Sequence, residues 1–399
     1  MSEPSPVETR MLVASFNSWY MDWAALAYQA RGALAGAWFA NKNIRGIEDR
    51  LYRRCWPFHL AMKPFYHLLP GQVEKVQYEW AMPLYDHWLR RQSLPAFHAV
   101  QAIAWGAKTP FDLAEKAGAL KIFDAPNSHP ATYDALERGE QARWSKSVRP
   151  GIPAKVIAQA VRDLGRADLV LCPSTWVKES MVRNGVPEST CLLAPFGVDL
   201  RIFQPRTAPP ARPRFICTGN IRVRKGHPYL FRAMTLLREQ YPEAELVCVG
   251  TYCRDFDQER LRWKGRFTHI PQLSHPELAR AYQACTAFVL PSVEEGFARV
   301  IPEAMAAGLP ILATHESGAT TCVEHGRQGL IFPSGDIDGL ARAMARMIED
   351  PELCREMGSN AAATARRNMS WQAYGDRILE AVGRRLRAGR AAPGPAARA

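Results

Sequence analysis

Residues Pro291–Pro310 read PSVEEGFARVIPEAMAAGLP and follow the apolar run Ala287–Leu290. That run is short and bounded, as a buried strand is. A glycine sits just after Glu295, and a stretch with little polarity on its inner face follows, so the unit is strand, turn, helix. Glu295 lies in the turn, and Glu303, eight positions on, falls about two turns along the expected helix. Both can point into a cleft at the strand ends. A helix start at Gly296–Ala298 would offer free N–H groups and a positive dipole end, which suit a phosphate. Carboxylates beside it suit hydroxyl-rich groups. By spacing alone, the string fits equally well two surface glutamates at an ordinary helix start.

The same alternation recurs on both sides. Downstream of residue 213, Arg214–Thr218, Glu245–Val249, Arg266–Ile270 and Ile311–Ala313 read as strands. Tyr229–Gln240, Pro276–Cys285, Ile301–Ala307 and Leu340–Ile348 read as helices between or after them. Upstream, Met11–Phe16, Ala119–Phe123, Asp168–Leu171 and Cys191–Ala194 read as strands, with helices at Trp23–Arg31, Pro153–Leu164 and Pro173–Asn184. Strands alternating with helices mean βαβ units and parallel sheets. Gln204–Pro213 holds four prolines in ten residues and reads as a linker. The class is therefore α/β, with two doubly wound Rossmann-like domains facing across a cleft, where ligands of such sheets bind. The expected domains are 1–205 and 214–370, a helix over 371–387 packing back on the N-domain, and a disordered tail over 388–399. Residues 38–105 read as a helical insertion, because seven of the eleven tryptophans lie at or before Trp105. Its aromatics fit a core, or a face resting on a membrane or a large acceptor.

Composition excludes several classes. The chain has 399 residues, 47% hydrophobic and 23% charged, which is ordinary globular composition. No apolar run reaches transmembrane length, and Met1–Arg10 lacks a signal-type apolar core. The nine cysteines form no C-x-x-C pair and no zinc spacing, so a reduced, cytoplasmic protein with no bound metal is expected. The net charge of +12 first suggests a polyanionic partner. However, residues 366–399 carry eight arginines against two acids, half of that excess. No basic stripe runs through the domains, so nucleic acid is not expected. The arginine-rich end fits a solvated tail, or peripheral contact with anionic lipid.

The string P-S-x-x-E-G-F-A-x-x-x-x-E-A-M-A-x-G-x-P resembles the donor-site signature of GT-B-fold retaining glycosyltransferases of family 4, the E-x7-E motif. Gly219-Asn-Ile-Arg-Val-Arg-Lys225-Gly226 resembles that family's phosphate loop, and Ala167–Pro205 its N-domain ending. Glu324–Pro333 and Asp336–Ile348 resemble its closing segments, so the likeness covers roughly residues 120–385. It implies a nucleotide-sugar donor, a glycan, lipid-linked or small-molecule acceptor, and no metal cofactor. By resemblance Lys225 binds the donor diphosphate with Arg222 or Arg224 as helper, and Gly219 gives the turn. Glu303 binds the ribose hydroxyls and Glu295 lies near the donor sugar, with the amides of Gly296, Phe297 and Ala298 facing sugar or phosphate. His129, in the S-H-P string, corresponds to the histidine near the reacting sugar.

Two departures stand out. The family's Gly-Arg is Gly219-Asn220 here, and its Gly-Gly loop after the first strand is Ser15-Phe-Asn-Ser-Trp-Tyr20, which leaves Asn17 and Ser18 as acceptor-side candidates. The implied reaction is front-face transfer with retention, in which the leaving phosphate serves as the base. A non-catalytic relative that only binds nucleotide or glycan is the alternative, favoured by the two departures. A dehydrogenase would need a G-x-G-x-x-G fingerprint and a downstream acid, which are absent from the sequence.

Overall fold

The computed structural model describes residues 9–16, 20–40, 44, 46–68, 76–144, 152–206, 208 and 210–391. The N-terminal sheet has seven strands: β1 Met11–Ser15, β2 Leu34–Phe39, β3 Tyr52–Arg54, β4 Ala99–Ile103, β5 Leu120–Asp124, β6 Leu169–Cys172 and β7 Cys191–Leu193. Their order is β3-β2-β1-β4-β5-β6-β7. The C-terminal sheet has six: β8 Arg214–Thr218, β9 Glu245–Val249, β10 Thr268–Ile270, β11 Ala287–Leu290, β12 Ile311–Thr314 and β13 Gly329–Phe332. Their order is β10-β9-β8-β11-β12-β13. Every pairing is parallel.

The helices of the first domain are α1 Met21–Ala30, α2 Trp56–Leu68, α3 Met82–Arg90, α4 Lys108–Ala117, α5 Pro130–Trp144, α6 Ala154–Gly165 and α7 Thr175–Arg183. Those after the linker are α8 His227–Gln240, α9 Asp257–Trp263, α10 His275–Gln283, α11 Val300–Ala306, α12 Ile337–Glu349, α13 Pro351–Asn368 and α14 Trp371–Ala391. The central strands β1, β2, β4, β6, β11 and β12 are buried along their whole length, as sheets covered on both faces require. Strand order reverses between β1 and β4, and again between β8 and β11. Each reversal opens a crevice at the carboxyl ends, and at the second the loops after β8 and β11 meet.

The Trp-rich stretch is not a helical insertion throughout. Leu34–Phe39, Tyr52–Arg54 and Ala99–Ile103 are sheet strands, and the helical parts are Trp56–Leu68 and, after residues outside the described ones, Gln77–Ala81 and Met82–Arg90. Leu34–Phe39 (LAGAWF) is buried on both faces, so it lacks the alternation that marks a half-buried strand. Helix α14 extends to Ala391, past the expected start of the tail; 392–399 lie outside the described residues.

α14 lies on the first domain. Trp371 stacks on Trp23 at 5.4 Å and 8°, and on Phe196 at 6.2 Å. A Cβ on Gly197 would lie 2.4 Å from the Trp371 nitrogen, so only glycine admits this crossing. Val198 N–H donates to the Met369 carbonyl at 2.9 Å. Phe196 in turn meets Tyr20 at 4.0 Å and Phe297 of the second domain at 6.0 Å, so one apolar cluster runs through both domains. Beneath it, Tyr20 Oη donates to Asp124 at 2.6 Å, and Gln101 joins Asp124 to Tyr374 of α14. Trp371→Ala should lower folding stability by about 3–5 kcal/mol, the usual loss for a truncated buried aromatic. An unchanged denaturation midpoint would show that α14 does not depend on this stack.

Candidate functional site

Two loops form the site in the second domain. The first follows β8. Gly219 has φ 114° and donates its N–H to the Val249 carbonyl at 2.8 Å. Gly226 has φ 74°, and a Cβ there would sit 1.8 Å from the Pro291 carbonyl oxygen. Only glycine lets α8 begin this close to the exit of β11. His227, the first residue of α8, is buried, and its Nδ1 lies 3.1 Å from the Arg222 carbonyl oxygen. Burial drives its pKa down to about 3, so it is neutral.

The second loop, Pro291–Arg299, brings carboxylates to these cations. Lys225 Nζ lies 2.6 Å from Glu295 Oε1. Burial alone would raise the Glu295 pKa, but Lys225 and Arg224 more than offset it and hold the carboxyl below its ordinary value. Glu294 is fully buried. It accepts from Ser128 N–H and Oγ at 3.0 Å each, from Asn127 Nδ2 at 3.3 Å, and from Arg224 Nη1 at 2.8 Å. Burial still keeps its pKa above the usual value. Glu303 is almost buried, which pushes its pKa up to about 7 against the opposing pull of Arg299 and Tyr282.

Arg222 and Arg224 both engage protein carboxylates. Arg222 pairs with Glu137 of α5 and with Asp255 at 3.3 Å. Arg224 pairs with Glu137 at 3.2 Å and with Glu294 at 2.8 Å, and lies 3.5 Å from Glu295. Neither arginine is thereby singled out for a phosphate.

The structure corrects several expectations. α11 begins at Val300, not at Gly296–Ala298, and Glu303 sits in its first turn rather than two turns in. The preceding backbone is held from another loop: Glu295 N–H donates to the Glu316 carbonyl at 2.9 Å and Ala298 N–H to the Ser317 carbonyl at 3.3 Å. The Ala298 amide is therefore already used. Phe297 is buried against Phe196. Gly296 touches the first domain: a Cβ there would lie 1.8 Å from the Pro126 carbonyl oxygen, and its own carbonyl accepts from Ser174 Oγ. His129 precedes α5, and its Nδ1 accepts from Ala131 N–H at 3.3 Å. Burial lowers its pKa, so it is neutral with the proton on Nε2, and Nδ1 is not a free base. Asn17 and Ser18 lie outside the described residues. Glu294, Glu137 and Asp255 carry the network without having been singled out from sequence. Glu294 stood in the quoted string beside Glu295, whereas Glu137 has no local signal.

Residues 199–364 match the family model described as glycosyl transferases group 1. The C-terminal domain is a group 1 glycosyl transferase domain. The chain is 30% identical over 224 residues to a D-inositol 3-phosphate glycosyltransferase of Pseudarthrobacter chlorophenolicus, covering 52% of this chain and 53% of that one. It is 26% identical over 324 residues to a GDP-mannose-dependent alpha-(1-6)-phosphatidylinositol monomannoside mannosyltransferase of Mycolicibacterium smegmatis, covering 74% and 80%. It thus spans about half the length of the first of these relatives. Among solved structures, sucrose-phosphate synthase of Thermosynechococcus elongatus superposes with TM-score 0.72 at 19% identity, covering 95% of this chain and 100% of that one. HepE of Anabaena, solved with UDP and glucose, superposes with TM-score 0.67 at 17% identity, covering 94% and 100%. The transferase domain and its N-terminal partner therefore form a GT-B fold.

Gly296→Ala should push the 294–297 loop off Pro126. A loss of about 1–3 kcal/mol, typical of overpacking, and a larger radius of gyration by small-angle X-ray scattering are expected. No change in either would place the loop clear of the first domain.

Proposed function

We propose that the protein transfers a sugar from a nucleotide sugar to a hydroxyl acceptor, with retention of anomeric configuration. The observation that carries this reading is the meeting, at the second strand-order reversal, of the Arg222–Gly226 loop with Glu295, with Glu303 following in the first turn of α11. A nucleoside diphosphate needs cations for its phosphates and a carboxylate for its ribose, and these loops supply both. The acceptor hydroxyl attacks the anomeric carbon from the side the diphosphate leaves. The bond from that carbon to the phosphate oxygen breaks as the new C–O bond forms, and the hydroxyl proton passes to the departing phosphate oxygen. Lys225, freed from Glu295, stabilises the growing phosphate charge, with the positive end of the α8 dipole behind it. This reading needs no metal and no protein nucleophile.

Lys225→Ala should cut turnover about 10²-fold or more, as loss of one charge-stabilising donor does. Full turnover in this variant would remove Lys225 from the reaction. A nucleotide that binds every variant without any transfer would favour a binding-only relative instead. Thermal shifts with UDP, GDP and ADP would rank the base.

Glu303 predicts the pH dependence. With a pKa near 7, it is largely neutral below that pH and accepts hydroxyl hydrogen bonds poorly. Nucleoside diphosphate affinity should therefore rise from pH 6 to pH 8, by up to about tenfold. Glu303→Gln should flatten the profile, and a persisting slope would point to another group. In the free protein the sign is opposite. A carboxyl raised from 4.5 to about 7 costs stability as pH rises through that window.

Among the described residues no helix is long and apolar enough to cross a membrane. Peripheral contact, with the protein on the cytoplasmic side and a lipid-linked acceptor, is supported by the first domain's helical surface. Trp56, Leu60, Trp80 and Leu84 are 57%, 63%, 70% and 41% exposed. Arg53, Arg90 and Arg91 are exposed nearby in the chain, and Arg54 lies 4.2 Å over the Trp56 ring. Exposed tryptophans among arginines suit an anionic interface. The C-terminal arginines suit it less. Arg385 donates to the Ser189 carbonyl at 2.8 Å and Arg384 pairs with Glu380, so both lie on a folded helix. Trp56→Ala with Trp80→Ala should reduce co-sedimentation with phosphatidylglycerol vesicles several-fold. Equal sedimentation would clear this face of membrane contact.

A further inference from the structure

Helix α5 belongs to the first domain yet lies over the phosphate loop of the second. Tyr133 sits 5.7 Å from the Arg224 guanidinium. Glu137 pairs with Arg222 and Arg224. One turn on, Glu140 accepts from Tyr229 Oη at 2.8 Å and Arg143 donates to the same oxygen at 3.0 Å. Trp144 packs edge-on against Tyr229 at 5.3 Å and carries Arg232 at 4.2 Å over its ring. The helix thus covers the loop and the first turns of α8.

The charge inside this contact is compensated. Three cations, Arg222, Arg224 and Lys225, face four carboxylates, Glu137, Asp255, Glu294 and Glu295, a net charge of −1. A diphosphate cannot add two or more negative charges here unless a carboxylate leaves. Asp255, Glu294 and Glu295 belong to the same domain as the cations and move with them. Glu137 is the one carboxylate of the four that domain separation withdraws. Its hold on Arg224 is also poorly formed. Glu137 Oε2 and Arg224 Nε lie 3.2 Å apart, but neither atom makes a hydrogen bond. Phosphate oxygens suit a guanidinium fork better.

We propose that Glu137 is an internal anion that competes with the donor diphosphate: α5 closes on the phosphate loop of the donor-free protein, and its carboxylate occupies Arg222 and Arg224 until a diphosphate displaces it. This rests on the reading that the 219–226 loop binds the donor diphosphate. Glu137 then sets donor affinity without touching the reacting atoms.

Calorimetric titration of the full chain with inorganic pyrophosphate, UDP, GDP and ADP tests it. Glu137→Gln should tighten binding about tenfold, equivalent to ~1.4 kcal/mol, and should enlarge the radius of gyration of the ligand-free protein. Glu137→Asp keeps the charge but withdraws it by one methylene, so it should move both readouts less and in the same direction. Asp134→Asn removes one negative charge from the same helix, where Asp134 pairs with Arg138 at 2.8 Å, and should change neither. Equal or weaker binding by Glu137→Gln, or an equal gain in Asp134→Asn, overturns the competition while leaving the donor reading intact. If wild type and every variant bind none of the four probes, the donor reading falls and the competition falls with it.

Discussion

Glu294 is the residue on which the arrangement of the cleft depends. A carboxylate with no solvent exposure must have its oxygens satisfied by fixed donors. Glu294 finds them on both domains, in Ser128 and Asn127 on one side and Arg224 on the other. Because its neighbour in the chain is Glu295, the same constraint presents Glu295 to Lys225. Gly296, next again, can lie against the Pro126 carbonyl only because it has no side chain. Three consecutive residues, Glu294, Glu295 and Gly296, thus serve as clamp, partner of the candidate donor lysine, and contact point.

The loop that Glu294 grips is fixed from its other end as well. Asp124 closes β5 and immediately precedes the Ala125–His129 turn. Tyr20 and Gln101 bond it, and Gln101 reaches Tyr374 of α14. Burial pushes the Asp124 pKa up to about 6 even with these bonds, so the position is held by geometry rather than by favourable charge. A chain of direct contacts therefore runs from the returning C-terminal helix through Gln101 and Asp124 to the turn, and on through Glu294 to Arg224. The helix belongs to the architecture of the cleft even though it lies far along the chain.

What could be read from the sequence follows from the range of the interactions. Arg214–Thr218, Glu245–Val249 and Ala287–Leu290 appear with the bounds their apolar runs suggest, since Gly and Pro punctuate them locally. β2 escaped because burial on both faces erases the period-2 signal. α5 escaped for the opposite reason. Glu137, Glu140 and Gln141 are its buried residues along with Pro130, because that face meets another domain's cations rather than an apolar core. Lys225, Glu295 and Glu303 could be singled out as candidates because glycines and a recognisable string surround them, and the structure pairs the first two. Glu137 and Asp255, the carboxylates that pair with Arg222 and Arg224, could not be singled out, since a contact across more than thirty residues leaves no trace in local spacing. The start of α11 was misplaced because carbonyls of Glu316 and Ser317, not helical bonds, hold the backbone before it.

The same distinction governs the charge. Arg-Val-Arg-Lys read along the chain is a strongly basic loop, and it invites the conclusion that surplus positive charge draws the anion in. In space, four carboxylates surround those three cations, so no surplus remains. The chain's +12 resides elsewhere, half of it over residues 366–399, the described part of which is almost wholly helical. Long-range attraction depends on net charge, whereas binding in a buried cleft depends on which partners can be exchanged. Under the proposed function, affinity for a diphosphate would come from trading carboxylate partners for phosphate oxygens, and the trade would be easiest for Glu137, the one carboxylate of the four contributed by the other domain.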